Sequence, residues 1–413
     1  MILLTHPFGN TNVRAVLNTL DHHASLAQFV TALGWSNSSP LLHLLPANLR
    51  AQLERRGYDL PHYKIKTYPA REIVRLLAER LQQRWLLRHE TGFASIDRVW
   101  RGLDEFAAEY LAREHQRLKV RAVYGYEDCA ARLFETAHQL GLRCVYDLPI
   151  AYWETARQLL QKEAARYPEW EPTLGATRDS DEKLARKTRE LELAQLVVCP
   201  SNFVLNSLPE KTRREKQCIV APFGSPQTTS ESHMTSESHG TYGKPLRLLF
   251  AGALTQRKGL ADLFAAMKLV SSKEIELLVM GSLVMPMEFY RKEFAHFTYE
   301  PPREHAAVLR LMQSCDVLVL PSIVEGRALV QQEAMACGLP LIVTRNAGGE
   351  DLIIEGETGF LVPAGSPAAL AEKIDWFGQN ATRLPAMSWA ARAKAAEFTW
   401  PAYGEKIFDA IGH

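Results

Sequence analysis

The chain has 413 residues, 46% hydrophobic and 23% charged, and its Lys+Arg 48 against Asp+Glu 47 give a formal net charge of +1. That length exceeds one ordinary core and predicts two domains of about 200 residues each. The charge balance supplies no overall electrostatic drive toward a polyanion, so no nucleic-acid partner is expected.

The six cysteines, at 129, 144, 199, 218, 315 and 337, form no C-x-x-C pair and read as buried free thiols in a reducing cytoplasm. The opening MILLTHPFGNTNVRA has an apolar run too short for a signal h-region. No stretch approaches the roughly 18 apolar residues of a membrane span. The expected location is cytoplasmic.

Short apolar runs alternate with charged helical stretches, the pattern of parallel α/β layers. A strand at 1–5 leads into the loop PFGNTN and a helix from Val13. With that strand so placed, Gly9, Asn10, Thr11 and Asn12 face a cleft, where their amides are candidate acceptor-side sugar contacts. Helix capping by Asn10 or Thr11 is an equal alternative. Residues 50–88 carry ten Lys/Arg against four acids, with REIVRLLAERLQQRWLLR amphipathic. This pattern fits peripheral contact with an anionic membrane at its inner face, or a solvated helix over the first domain.

Further strands are expected near 121–126, 143–148, 196–201 and 218–224. RDSDEKL at 178–184 looks like a metal-binding Asp-Ser-Asp, but it precedes a helical run, so Ser180 or Asp179 reads as a cap. No His/Cys/Asp cluster has ligand spacing, and neither a metal nor a cofactor is expected. Residues 223–245, rich in Ser, Thr, His and Gly, read as a flexible linker or surface loop. A second strand series at 246–252, 275–281, 316–322 and 339–344 makes a second domain, 246–394, after a first at 1–222. Two doubly wound domains place a ligand where strand carboxyl ends face the cleft between them.

In FAGALTQRKGL (250–260) a strand ends at Gly252 and Arg257-Lys258 open a helix. Two cations beside a helix N-terminus suit a diphosphate, although a solvated basic pair gives the same pattern. VEGRALVQQEAMACGLPLIVT (324–344) puts Glu325 in a turn, where a carboxylate accepts hydrogen bonds from sugar hydroxyls. Glu333 follows about a turn and a half into the helix, within reach of a ribose. A dipole-complementing acid and a solvated mid-helix acid are the alternatives. The small apolar surroundings EAMACGLP argue that Glu333 needs a partner.

Together RKG (257–259), PSIVEG (321–326), the two glutamates, EAMACGLPLIVT and GGEDLIIEGETGFLVPAGSPAAL (348–370) resemble the carboxyl-terminal domain of the family 4 retaining glycosyltransferases of the GT-B fold. GNTNVRA and PSNFV (200–204) resemble its amino-terminal half more weakly. The resemblance implies two Rossmann-like domains facing each other across a deep cleft. It implies a retaining hexosyltransferase that passes hexose from a nucleoside diphosphate sugar to a saccharide or lipid-linked acceptor, in polysaccharide or glycolipid synthesis.

Arg257 and Lys258 would then neutralise the departing diphosphate, and Glu325 would hold hydroxyls of the donor sugar. The backbone of Gly326, Arg327, Ala328 and Leu329 would approach sugar and phosphate from beside the Gly252 turn, and Glu333 would bind the ribose. HFTYEPP (296–302), with Thr298 and Tyr299, would lie near the base. FTWPAYGEKIFDAI (398–411) resembles the segment that in this fold returns to the first domain, so 395–413 would pack there. Arg327 and Ala328 stand where the family has an aromatic residue and glycine. VYDLPIAYW (145–153) lacks a histidine that many relatives carry, leaving Asp147 as its substitute. These departures keep open a non-catalytic nucleotide-sugar-binding subunit; a nucleotide-sugar epimerase on the same scaffold is the other alternative.

Overall fold

The computed structural model describes residues 1–37, 56–226, 245–272 and 274–412. Arg50, Glu54 and Arg55 of the basic stretch, and most of the expected linker, lie outside the described residues. The strands of the amino-terminal half are β1 (Ile2–Thr5), β2 (Leu26–Thr31), β3 (Trp35–Ser36), β4 (Gly57–Tyr58), β5 (Ile65–Thr67), β6 (Ala122–Tyr126), β7 (Arg143–Asp147), β8 (Leu196–Cys199) and β9 (Gln217–Val220). Those of the other half are β10 (Leu246–Ala251), β11 (Ile275–Met280), β12 (Thr298–Glu300), β13 (Val317–Leu320), β14 (Leu341–Thr344) and β15 (Gly359–Val362).

The first sheet runs β5-β2-β1-β6-β7-β8-β9 and the second β12-β11-β10-β13-β14-β15, with β3 and β4 paired apart. Every pairing in both large sheets is parallel. Parallel strands covered on both faces need uninterrupted apolar runs, and LVVC, VLVL and LIVT in β8, β13 and β14 are buried at every residue. Strand order reverses between β1 and β6 and again between β10 and β13. A doubly wound sheet opens a crevice at that reversal, outside the strand carboxyl ends.

Each half also sends a segment into the other's core. The turn Pro168–Thr173 inserts Trp170, which is fully buried, into the core of the second sheet. There it meets Phe289, Tyr290 and Phe264 edge-on at ring distances of 4.9, 5.7 and 6.1 Å. In return the helix Trp400–Ile411, capped by Thr399, packs Tyr403, Ile407 and Phe408 against Val13, Val16 and Leu20 on the first sheet. A small apolar seam of Ala151, Leu160 and Leu174 with Ile323 and Val324 joins the halves between these crossings. All six cysteines are free, and five are buried.

Truncating Trp170 leaves a cavity in a core that its own half cannot refill. Trp170→Ala is therefore expected to cost about 3–5 kcal/mol in denaturant unfolding. A loss below about 1 kcal/mol would show that the crossing carries no structural weight.

Candidate active site

The turns after β10 and β13 are stitched to each other. A Cβ on Gly252, which has φ of 151°, would lie 2.7 Å from Cδ of Lys258, so glycine clears the path of the lysine chain. Gly259 has φ of 78°, and a Cβ there would sit 2.0 Å from the Pro321 carbonyl. The Ile323 and Val324 amides donate to the Arg257 carbonyl at 2.9 and 3.3 Å. This local geometry delivers both cations to one carboxylate. Arg257 Nη1 and Lys258 Nζ stand 2.8 and 2.5 Å from the same Oε1 of Glu325, and Arg257 also donates to the Val324 carbonyl at 2.9 Å.

Glu325 is only 9% exposed. Burial pushes its carboxyl up, but the charges and hydrogen bonds of Arg257 and Lys258 outweigh that and hold it below the ordinary glutamate range. It stays ionised, so it accepts hydrogen bonds and does not donate a proton.

Beyond Gly326 the chain enters the helix Leu329–Ala336. The Arg327 guanidinium is committed inside the second half: Nε to Gln332 at 2.8 Å, Nη1 to Asp351 at 2.7 Å and to the Gly348 carbonyl at 3.2 Å, with Phe398 beneath it at 5.0 Å. Gln332, fully buried, also donates to the Phe223 carbonyl at 2.6 Å, tying this helix to the strand that leaves the first half. Glu333 has a partner, as its surroundings suggested, but the partner is an exposed histidine: His305 Nε2 lies 3.0 Å from Oε1. Thr298 is exposed on the edge strand β12, and the Tyr299 hydroxyl donates to the Gly281 carbonyl at 3.0 Å.

A cavity of about 520 Å³ separates the two halves. Arg257, Glu325, Gly326 and Arg327 line one wall; Asp97, Trp100, Tyr126, Glu127, Asp128, Lys183 and Lys187 line the other. The second wall is already charge-paired. Lys183 Nζ sits 2.9 Å from Asp97, 3.0 Å from Asp179 and 3.4 Å from Asp128, and Lys187 Nζ is 3.3 Å from Glu127. Gly326 closes the seam between the walls. Its carbonyl accepts the Ser201 hydroxyl at 2.5 Å, and a Cβ there would fall 1.6 Å from the Pro149 carbonyl.

The acceptor-side residues expected from the sequence lie outside this lining. The Gly9 amide is taken by His6 Nδ1 at 2.7 Å, so it is not free for a sugar. Burial holds that histidine neutral, with its pKa lowered to about 3. Asn10 occupies the N-cap position without a side-chain cap bond, and Asn12 is buried. Asp147 is buried too, with the Tyr124 hydroxyl donating to it at 2.8 Å, and burial lifts its pKa to about 7. Ser180 does cap its helix, accepting the Lys183 amide at 3.2 Å.

The fold gathers one group of metal-ligating type among the described residues that chain spacing does not reveal: His89, Glu90 and Asp179, with ligand atoms within 4.8 Å of one another. The Ser180 amide at 2.9 Å and Lys183 Nζ at 3.0 Å already occupy Glu90 and Asp179.

Residues 233–394 match the family described as glycosyl transferases group 1. A D-inositol 3-phosphate glycosyltransferase of Corynebacterium diphtheriae is 24% identical over 401 residues, 88% of each chain. One from Arthrobacter is 30% identical over 195 residues, which span 44% of this chain and 46% of that protein, under half its length. Among solved structures, sucrose-phosphate synthase from Thermosynechococcus elongatus superposes with a TM-score of 0.66 at 17% identity, covering 99% of this chain and 97% of that one. Anabaena HepE in complex with UDP-glucose gives a TM-score of 0.60 at 15% identity, covering 99% and 98%.

Adding a methyl group at Gly326 must part the two walls. Gly326→Ala is expected to increase the radius of gyration in small-angle scattering and to lower the melting temperature. A variant matching the parent in both would contradict the close contact.

Proposed function

We propose, from the match of residues 233–394 to the glycosyl transferases group 1 and from the GT-B fold, that this chain moves a hexose from a nucleoside diphosphate sugar to an acceptor hydroxyl with retention and without a metal ion. The observation that carries the reading is the Glu325 oxygen shared by Arg257 and Lys258 on the cavity wall. As the glycosidic bond breaks, negative charge grows on the diphosphate and positive charge on the sugar. The two cations answer the first charge, in the place a metal would otherwise fill. The ionised Glu325 holds hydroxyls beside the second, in a geometry set before the reaction begins. The leaving phosphate oxygen takes the acceptor's proton, so the step balances without a separate protein base.

Glu333 binds the ribose, whose hydroxyls replace His305 as its partner, and Thr298 and Tyr299 lie toward the base. The backbone of Gly326, Ala328 and Leu329 meets the sugar and phosphates, while the Arg327 side chain stays engaged with Asp351. The UDP-glucose complex of the Anabaena neighbour supports a uridine donor as the first to test. On the opposite wall both lysines are already balanced by acids, which favours a neutral hydroxyl-rich acceptor such as a saccharide, free or lipid-linked.

Steady-state transfer with the accepted donor tests the division of labour. Lys258→Ala is expected to lower kcat by about 10²–10³-fold with a smaller change in KM. Glu333→Ala is expected to weaken nucleotide binding about tenfold, roughly 1.4 kcal/mol, with kcat little altered. Negligible effects from both would remove the assignment.

A further inference from the structure

Residues 73–96 expose an unusual amount of apolar surface. Ile73, Leu77, Leu81, Trp85, Phe93 and Ile96 are each between 45% and 65% exposed. Among the described residues they are half of the large apolar side chains that stand open to solvent. Scattered exposed leucines need no explanation, but a cluster does.

The helix Ala70–Arg80 is anchored by its opposite side. Glu72 is buried and paired with Arg56 at 2.6 Å and Arg75 at 2.7 Å, and Ala78 is buried beside it. Arg75 lies over the Phe8 ring at 5.5 Å, and Phe8 meets Trp100 of the cavity wall edge-on at 6.1 Å. Positions 73, 77 and 81, spaced by four, therefore share the outward face. No helix of the described residues is long and apolar enough to cross a membrane.

Two further observations select the occupant. Four arginines, at 75, 80, 84 and 88, stand in this segment against Glu79 and Glu90, and Glu79 is already paired with Arg75. Arg80, Arg84 and Arg88 are exposed between and beside the apolar side chains. Apolar side chains that enter an interface, ringed by cations, complement an anionic bilayer. The patch also ends at the cavity: Ile96 is half exposed and lines the cavity, as does His89.

We propose that the surface formed by residues 73–96 docks on an anionic membrane and brings the mouth of the interdomain cavity to the lipid surface, so that the acceptor is the hydroxyl-bearing headgroup of a lipid. The docking stands on the surface alone; only the identity of its cargo rests on the transfer reaction proposed above.

Flotation of the full chain with vesicles tests it without any donor. Vesicles of equal phosphatidylglycerol and phosphatidylcholine are expected to carry the protein upward at low salt, and pure phosphatidylcholine vesicles are not. Leu77→Glu with Leu81→Glu, and separately Arg80→Gln with Arg84→Gln, are expected to lower the vesicle-bound to free ratio at least tenfold at an unchanged melting temperature. All four side chains are exposed, and the arginine pair serves should the leucine variant fold poorly. Failure of the parent to float would overturn the proposal, as would variants that float equally well. A parent dimer that the leucine variant converts to monomer would assign the face to a second copy and overturn it also. A protein that floats but turns over no nucleotide sugar would leave the surface standing and remove the reaction.

Discussion

The arrangement depends on one buried carboxylate held by two cations. Glu325 comes from the turn after β13, and Arg257 and Lys258 come from the turn after β10, on the two strands between which the second sheet reverses its order. A lone carboxylate at that depth would be costly, and two unbalanced cations equally so. Each makes the other tolerable, and the three charges sum to one net positive charge beside the cavity, which Arg257 and Glu325 line. That surplus is suited to a diphosphate whose charge increases during reaction.

The same site is wired to the whole molecule. Gln256, next to Arg257, donates to Glu163 at 2.7 Å and to Asp262 at 2.9 Å, and its amide donates to Thr173 at 3.0 Å. Arg166 pairs with Asp262 alongside, and Trp170 anchors that segment in the second core. The turn that carries Arg257 and Lys258 is thus attached directly to a piece of the amino-terminal half. On the other flank Gln332 ties the Arg327 turn to Phe223, where the chain crosses between halves.

Much of this was legible because it is local. Strand, turn and helix in sequence order place Arg257, Lys258 and Glu325 at strand carboxyl ends, and long apolar runs such as VLVL mark central strands. The strands β2, β5, β12 and β15 escaped notice: β5 (IKT) and β12 (TYE) have three residues each and no uninterrupted apolar run, and Gln28 breaks the run of β2 (LAQFVT). The buried glutamines at 331 and 332 carry no local sign of burial, because the carbonyls that satisfy them belong to residues 347 and 223. Trp170 gave no sign that it serves the other half's core. The opposite cavity wall was invisible for the same reason: Asp97, Glu127, Asp128, Lys183 and Lys187 become neighbours only when two helices and the end of β6 meet. The loop at Gly9 and Asn10 was a local guess, and His6 claims its amide.

The central claim is that the Arg257–Lys258–Glu325 wall is a nucleoside diphosphate site. The most direct measurement is the melting temperature of the purified chain with UDP, GDP, ADP and CMP, each in EDTA. One diphosphate at about 100 times its Kd is predicted to add about 2.7 kcal/mol of stability, read as a clear upward shift, while CMP adds little. A folded protein that responds to none of the diphosphates would contradict the account.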